Sequence, residues 1–215
     1  MKRYFILAIL LQTLNATNIE NFIDLRQCDQ IIDKQIYQIC YSYKNKGAVA
    51  VWYELDAELV NKNNIEARPK FYNEKNIPMK YRTKPEDYTN SGFDRGHLAS
   101  DANFDYDKKA QLKTYSMANI VPQHPTLNRK HWANLEKYER YLTINFSNIN
   151  VINLVDYSKS TNQIGKSKLS VPNAFYKIIY NDEHNFKKCF KYDNIEINQN
   201  DSVTKYQIEC ERIKL

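Results

Sequence analysis

A histidine, an arginine and several carboxamides fall within one stretch whose chemistry would suit attack on a phosphodiester. Asp94, Arg95, Gly96 and His97 are consecutive, and Asn119, Pro122, Gln123, Asn128, Trp132, Leu135 and Glu136 follow. Cleaving such an ester with water needs a base to take a proton from the water, cations to offset charge gathering on the phosphate, and help for the departing 3′ oxygen. His97 is the natural base, because an unperturbed imidazole titrates near ~6.5 and is substantially neutral under neutral conditions. Asp94 and Arg95 lie beside it, and Gly96 lets the backbone turn tightly or approach closely. Asn128 offers a neutral carboxamide oxygen. That oxygen is a weak magnesium ligand, so the ion would keep most of its water shell and leave its charge for phosphate oxygens and the leaving group.

The segment carrying Asn128 reads as a helix that Thr126 caps and that continues to about Leu142. At ~3.6 residues per turn, Asn128, Trp132, Leu135 and Glu139 share one narrow face, with Glu136 roughly 80° round from Asn128. Trp132 and Leu135 read as core. Taken alone, Asn128 would more often be a helix-terminal hydrogen-bonding residue, and Glu136 could equally pair on the surface with Lys137 or Arg140. His124, His131 and His184 read as structural, and no second histidine has the short spacing of a zinc pair.

These residues need a scaffold. Gly47 to Leu55 is a β-rich apolar stretch that reads as a buried strand, and residues 61–91, with Pro69, Pro78 and Pro85, read as a long irregular connection. Helical spacing runs from Asp107 to Met117, and Asn119 to Pro122 looks extended. Val151 to Val155 reads as a strand, Ala174 to Tyr180 and Phe186 to Tyr192 as a strand pair, and Val203 to Ile213 as a final helix or turn. The mixture predicts an α+β fold with a mainly antiparallel sheet.

Met1, Lys2 and Arg3 precede an apolar run from Tyr4 to Leu14 and a small residue, Ala16, which together read as a secretory signal peptide over residues 1–16. The run is short of the ~20 apolar residues that span a bilayer. The rival reading is a buried first helix or an uncleaved anchor. Residues 17–215 then suit a single domain with a core over about 48–192, with no stable membrane association after processing. Four cysteines, Cys28, Cys40, Cys189 and Cys210, behind an export signal imply two disulfides. Sequence neighbours would pair Cys28 with Cys40 and Cys189 with Cys210, and two other connectivities stay open. A formal net charge of +6 permits attraction to polyphosphate without demonstrating it.

The run from Asp94 to His97, followed by Asn119, Pro122, Gln123, Asn128, Trp132, Leu135 and Glu136, resembles the two hallmarks of the DNA/RNA non-specific endonucleases, a ββα-metal family. The resemblance spans roughly Ala48 to Tyr192 and is most specific over 93–136. It implies a ββα-metal motif, with His97 as general base, Asn128 as ligand of Mg2+ (Mn2+ substituting), and Glu136 orienting water on the metal. Arg95 resembles the family's phosphate-stabilising arginine and Arg68 its second arginine, while Asn119 is expected as a supporting group. DNA and RNA would be substrates, cut to 5′-phosphate and 3′-hydroxyl ends by an exported enzyme, periplasmic or secreted. Ser100 stands where relatives usually have proline, and His131 where small residues or proline are common. Two alternatives remain: an exported nucleic-acid-binding protein that does not cut, and a nuclease restricted to DNA or to RNA.

Overall fold

A computed structural model describes residues 19–62, 64–213 and 215; the signal peptide expected over 1–16 lies outside them. In chain order the strands are β1 (Gln30–Asp33), β2 (Gln38–Ser42), β3 (Gly47–Asp56), β4 (Asp94–His97), β5 (Ile120–Gln123), β6 (Asn148–Asp156), β7 (Gln163–Ile164), β8 (Leu169–Ser170), β9 (Ala174–Asn181), β10 (Phe186–Asp193) and β11 (Gln207–Ile208). The helices are α1 (Ala57–Val60), α2 (Lys108–Thr114) and α3 (Ala133–Phe146), the last preceded by a π-helical turn, Leu127–Trp132. One sheet has the order β1-β2-β3-β6-β9-β10-β11, and each of its neighbouring pairs is antiparallel. Strands β4 and β5 form a separate antiparallel pair, and β7 and β8 a second. The fold is α+β with a ββα-metal motif built from β4, β5 and the helix that follows.

Side chains alternate across a strand, so the central strands serve two cores. Val51, Tyr53 and Leu55 of β3, Val151 and Val155 of β6, and Phe175 and Ile179 of β9 face the ββα motif, where they pack with Leu98, Trp132 and Leu135. Ala50, Ile152, Leu154, Ile178 and Tyr180 face the other way, against Ile19, Ile23 and Ile213 from the chain's flanking segments. Both disulfides lie on this second face, Cys28–Cys40 and Cys189–Cys210. Sequence neighbours therefore pair, and the flanking segments are stapled onto the sheet.

Several elements differ from expectation. The sheet extends on both sides of residues 48–192, through β1, β2 and β11. Helix α2 is shorter than 107–117: the Asp107 side chain accepts from the Lys109 and Ala110 amides at its start, and Met117–Asn119 forms a separate 3-10 turn. Thr126 does not cap the π-helical turn, having helical backbone and no side-chain cap bond. Its amide instead donates to His124 Nδ1, and Pro125 occupies the first turn, where a missing N–H leaves nothing unpaired. Thr126 Oγ1 is engaged by the Ile197 amide at 3.0 Å. Among the described residues no helix is long and apolar enough to cross a membrane.

Candidate active site

Strand β4 brings the chemistry together. It pairs with β5 so that Arg95 lies opposite Pro122, Gly96 opposite Val121 and His97 opposite Ile120. Glycine is required at 96: a Cβ there would sit 2.2 Å from Gln123 Oε1. The His97 carbonyl accepts from Trp132 Nε1 at 3.1 Å, and Asn128 Nδ2 donates to Asp94 Oδ2 at 3.0 Å. Two bonds therefore tie the helical arm to the strand that carries the histidine. Arg129 grips the same carboxylate, its Nε and terminal nitrogen each at 2.8 Å. Burial opposes ionisation of Asp94, but bonds from Arg129 and Asn128 outweigh it and hold the carboxyl below its usual value.

The helical arm begins as a π-helical turn, in which Leu127, His131 and Trp132 are buried, while half-buried Asn128, with Arg129, reaches Asp94. Such turns inside helices often mark functional sites. His131 is structural: its Nε2 lies 3.0 Å from the Asn198 carbonyl and its ring packs on Tyr206.

His97 packs against Tyr115 and Phe71, with ring centroids 5.0 and 5.5 Å away. Part of the ring stays open, while Nε2 is enclosed and has no hydrogen-bond partner. Burial is the main cause, and the Arg68 cation a second, that bring its pKa down to about 4. The imidazole is therefore neutral across the neutral range. Arg68 itself is half exposed and paired with Asp101. Arg95 donates to the Pro85 carbonyl at 2.7 and 3.2 Å and lies 5.6 Å from both the Phe71 and Tyr88 rings.

Asn119 clamps the backbone beyond His97. Its Oδ1 accepts from the Ala99 amide at 2.8 Å, and its Nδ2 donates to the Ala99 and Thr114 carbonyls at 2.9 Å each. The side chain is fully buried, so it supports the site without an atom to spare for a substrate.

Glu136 makes no surface ion pair with Lys137 or Arg140. Burial is the largest influence and raises its pKa to about 7; Lys177 opposes this, Glu139 adds to it, and a hydrogen bond with Ser100 opposes it. Ser100, the departure from the family's usual proline, thus supplies a partner that proline lacks.

Beneath these groups lies a network with no clear signal in the sequence. Lys177 and Glu139 form an ion pair with both side chains fully buried. Glu139 also accepts from Tyr53 Oη at 2.9 Å and Asn103 Nδ2 at 2.7 Å, and Arg140 donates to Asn103 Oδ1 at 2.8 Å. The Lys177 ammonium lies 4.4 Å from the centre of the Trp132 ring, which in turn holds the His97 carbonyl.

With its Nδ2 on Asp94, Asn128 keeps a carboxamide oxygen whose chemistry would suit a hard, hydrated divalent cation, and Glu136 lies about two turns further along the same helical arm. Among the described residues no three His, Cys, Asp or Glu side chains gather as a metal site. A cation here would rest on few protein oxygens and keep much of its water.

The chain is similar to several known nucleases. Human mitochondrial Endonuclease G is 32% identical over 160 residues, covering 70% of this chain and 54% of that protein. A nuclease of Nostoc sp. is 31% identical over 143 residues, covering 66% and 52%, and Nuclease C1 of Cunninghamella echinulata is 28% identical over 177 residues, covering 77% and 70%. The chain thus spans about half the length of several curated relatives it matches. A crystal structure described as the EndoG/EndoGI complex superposes with a TM-score of 0.80 at 26% identity, covering 93% of this chain and 89% of that one. The model of the DNA/RNA non-specific endonucleases matches residues 14–214, far beyond the two hallmark motifs, and the chain belongs to that family.

Proposed function

We propose that this protein is an exported, metal-dependent endonuclease that hydrolyses DNA and RNA with little sequence preference, leaving 5′-phosphate and 3′-hydroxyl ends. The observation that carries the reading is the double link to β4: Trp132 holds the carbonyl of His97, and Asn128 holds the side chain of Asp94. This supports a reading in which the proposed base, His97, and the proposed metal ligand, Asn128, act at the same four-residue strand.

His97, neutral because it is shielded, accepts the proton of the attacking water. Arg95 and Arg68 offset charge on the scissile phosphate. Asn119 keeps the backbone after His97 in place, Asn128 would hold the cation, and Glu136 would orient the water around it. Mg2+, with Mn2+ as a substitute, supplies positive charge to the phosphate and the departing 3′ oxygen when bound. Weak preference follows because cation and arginines meet phosphates, which carry no base identity. Export is supported by two disulfides, which persist in oxidising compartments.

The test is digestion of plasmid DNA and of RNA by purified protein, with and without EDTA, followed by end-group analysis. Cutting of both that EDTA abolishes, with 5′-phosphate ends, is the expected result. Undiminished cutting in EDTA, 3′-phosphate ends, or no cutting under any metal would overturn the proposal.

A further inference from the structure

The small hairpin β7–β8 is built into the wall beside Arg95. Ile164 and Leu169 pack with Tyr88, Met117, Ile120 and Val171 in a third apolar cluster, against which Phe71 and Phe93 lie. Tyr88 and Phe71 are the rings that flank Arg95. The hairpin is also pinned by polar contacts: the Ser167 amide donates to Asp87 Oδ1 at 3.0 Å, and the Lys84 amide to Asp87 Oδ2 at 2.8 Å. Gly165, with φ +65°, lets the hairpin lie on Asp87, since a Cβ there would come within 2.3 Å of the Asp87 Cβ. Between Lys84 and Asp87 stands Pro85, whose carbonyl takes the Arg95 guanidinium. One buried aspartate therefore joins three things: the hairpin tip, the 84–88 turn and the arginine of the site.

The tip itself is cationic. Lys166 and Lys168 flank the pinned Ser167 and are exposed, as is Lys84 across the Asp87 contact. None of the three ammonium groups is held in an ion pair, and Glu86 is the exposed acid on the same turn. These exposed lysines form no ion pair among the described residues and stand on a rigidly backed hairpin and turn next to Arg95, the arginine proposed above to meet the phosphate. Their stems are outside the core, and their charges repel one another.

We infer that Lys84, Lys166 and Lys168 form a track for the nucleic-acid backbone, gripping phosphates beyond the scissile one on the Arg95 side of the site. This rests on the nuclease reading above and adds a surface that engages long substrates. Neutralised phosphates release counterions, so each lysine that meets one steepens the salt dependence of binding by about 0.9 in the log–log slope for duplex DNA. A substrate too short to reach the hairpin gains nothing from it.

The test compares Lys166→Gln/Lys168→Gln with wild type and with Lys62→Gln/Lys187→Gln, which removes equal charge after α1 and on β10, elements that carry none of the site. Binding of a fluorescent duplex is measured in EDTA across a salt series. The hairpin variant is expected to lower the slope by about 2, with Lys84→Gln lowering it by about 1 more, while the control changes it little. KM on long DNA should rise in the hairpin variant, with KM on an oligonucleotide of ~4 residues unmoved. Equal slopes in hairpin variant and wild type overturn the track, as does an equal loss in the control. A wild type that binds duplex through these lysines but cuts nothing overturns the nuclease reading alone, so the two failures are separable.

Discussion

The two faces of the central sheet are built from the same strands and solve opposite problems. On the face away from the ββα motif, Ala50, Ile152, Leu154 and Ile178 meet apolar flanking segments, and two disulfides hold those segments down. On the other face the alternate positions include Asn153 and Lys177, and the core accommodates Glu139, Asn103 and Asn119 at almost no exposure. Buried charge is costly unless paired and hydrogen-bonded. Here Glu139 receives Lys177, Tyr53 and Asn103, and Asn153 Nδ2 donates to the Leu98 carbonyl at 2.9 Å. One face contributes cohesion, whereas the other commits part of its core to holding a base and its supports in fixed positions. The comparison predicts that substitutions on the site face affect activity or leave uncompensated charge, and that those on the disulfide face affect stability alone.

The largest expected effect is His97→Ala. Loss of a general base costs about 10²–10⁴ in rate, so turnover on plasmid should fall by about a thousandfold while duplex binding in EDTA persists. A variant that cuts at near-wild-type speed would remove His97 from the chemistry. Next comes the buried pair. Glu139→Gln strands the Lys177 ammonium in the core and should lower unfolding free energy by about 3–5 kcal/mol. Replacing both partners, as Lys177→Met/Glu139→Leu, removes the stranded charge but leaves Tyr53 Oη and Asn103 Nδ2 without their acceptor, so it should recover only part of that stability, and not the full turnover, because Trp132 and Glu136 lose their charged neighbours. Full turnover in the double variant would reduce the pair to simple packing. Denaturant titration and kcat on one preparation provide both readings.

On the opposite face the expected effects are purely thermodynamic. Cys189→Ala/Cys210→Ala opens a closure spanning 21 residues, and Cys28→Ala/Cys40→Ala one spanning 12. The chain-entropy estimate for each is about 3 kcal/mol. At a temperature where both variants stay folded, kcat should be within about twofold of wild type, a change worth under ~0.5 kcal/mol in barrier. A folded disulfide variant with a large rate loss would show that the two faces are mechanically coupled.

Much of the site was legible because its parts are close in sequence. Asp94 to His97 is one strand and Asn119 to Glu136 the next strand and helix, so two short motifs bracket the whole ββα unit. The π-helical turn was not legible, since Trp132 and Leu135 satisfy ordinary helical spacing and nothing local signals a wider turn; its entry is pinned instead by distant Asn194 and Ile197. The burial of Lys177 has no local signal, because its partner lies 38 residues away. Strand β1 carries little sequence signal for a related reason: Gln30–Asp33 is short and half polar, and its pairing with β2 gives it a strand's role that local preference does not. From sequence Ser100 reads only as a departure from the family's proline, and its bond to Glu136 arises from the fold.

The smallest effect concerns pH, and it compares two groups within the site face. His97 titrates near 4 against an ordinary 6.5, so between those values the unfolded chain holds the extra proton and stability rises with pH. Glu136 titrates near 7 against an ordinary 4.5, so there the folded chain holds the extra proton and stability falls as pH rises. The windows overlap from 4.5 to 6.5, where the two slopes oppose each other. Metal-free wild type should therefore show little contribution from this pair across the overlap. Glu136→Gln should expose the rising slope of His97, and His97→Asn the falling slope of Glu136. Urea titrations in EDTA at several pH values measure all three. Parallel slopes in the three proteins would mean that neither group is perturbed by its burial. A rising slope in the Glu136→Gln protein would instead show directly that the imidazole is held neutral by its surroundings, the property the proposed base requires.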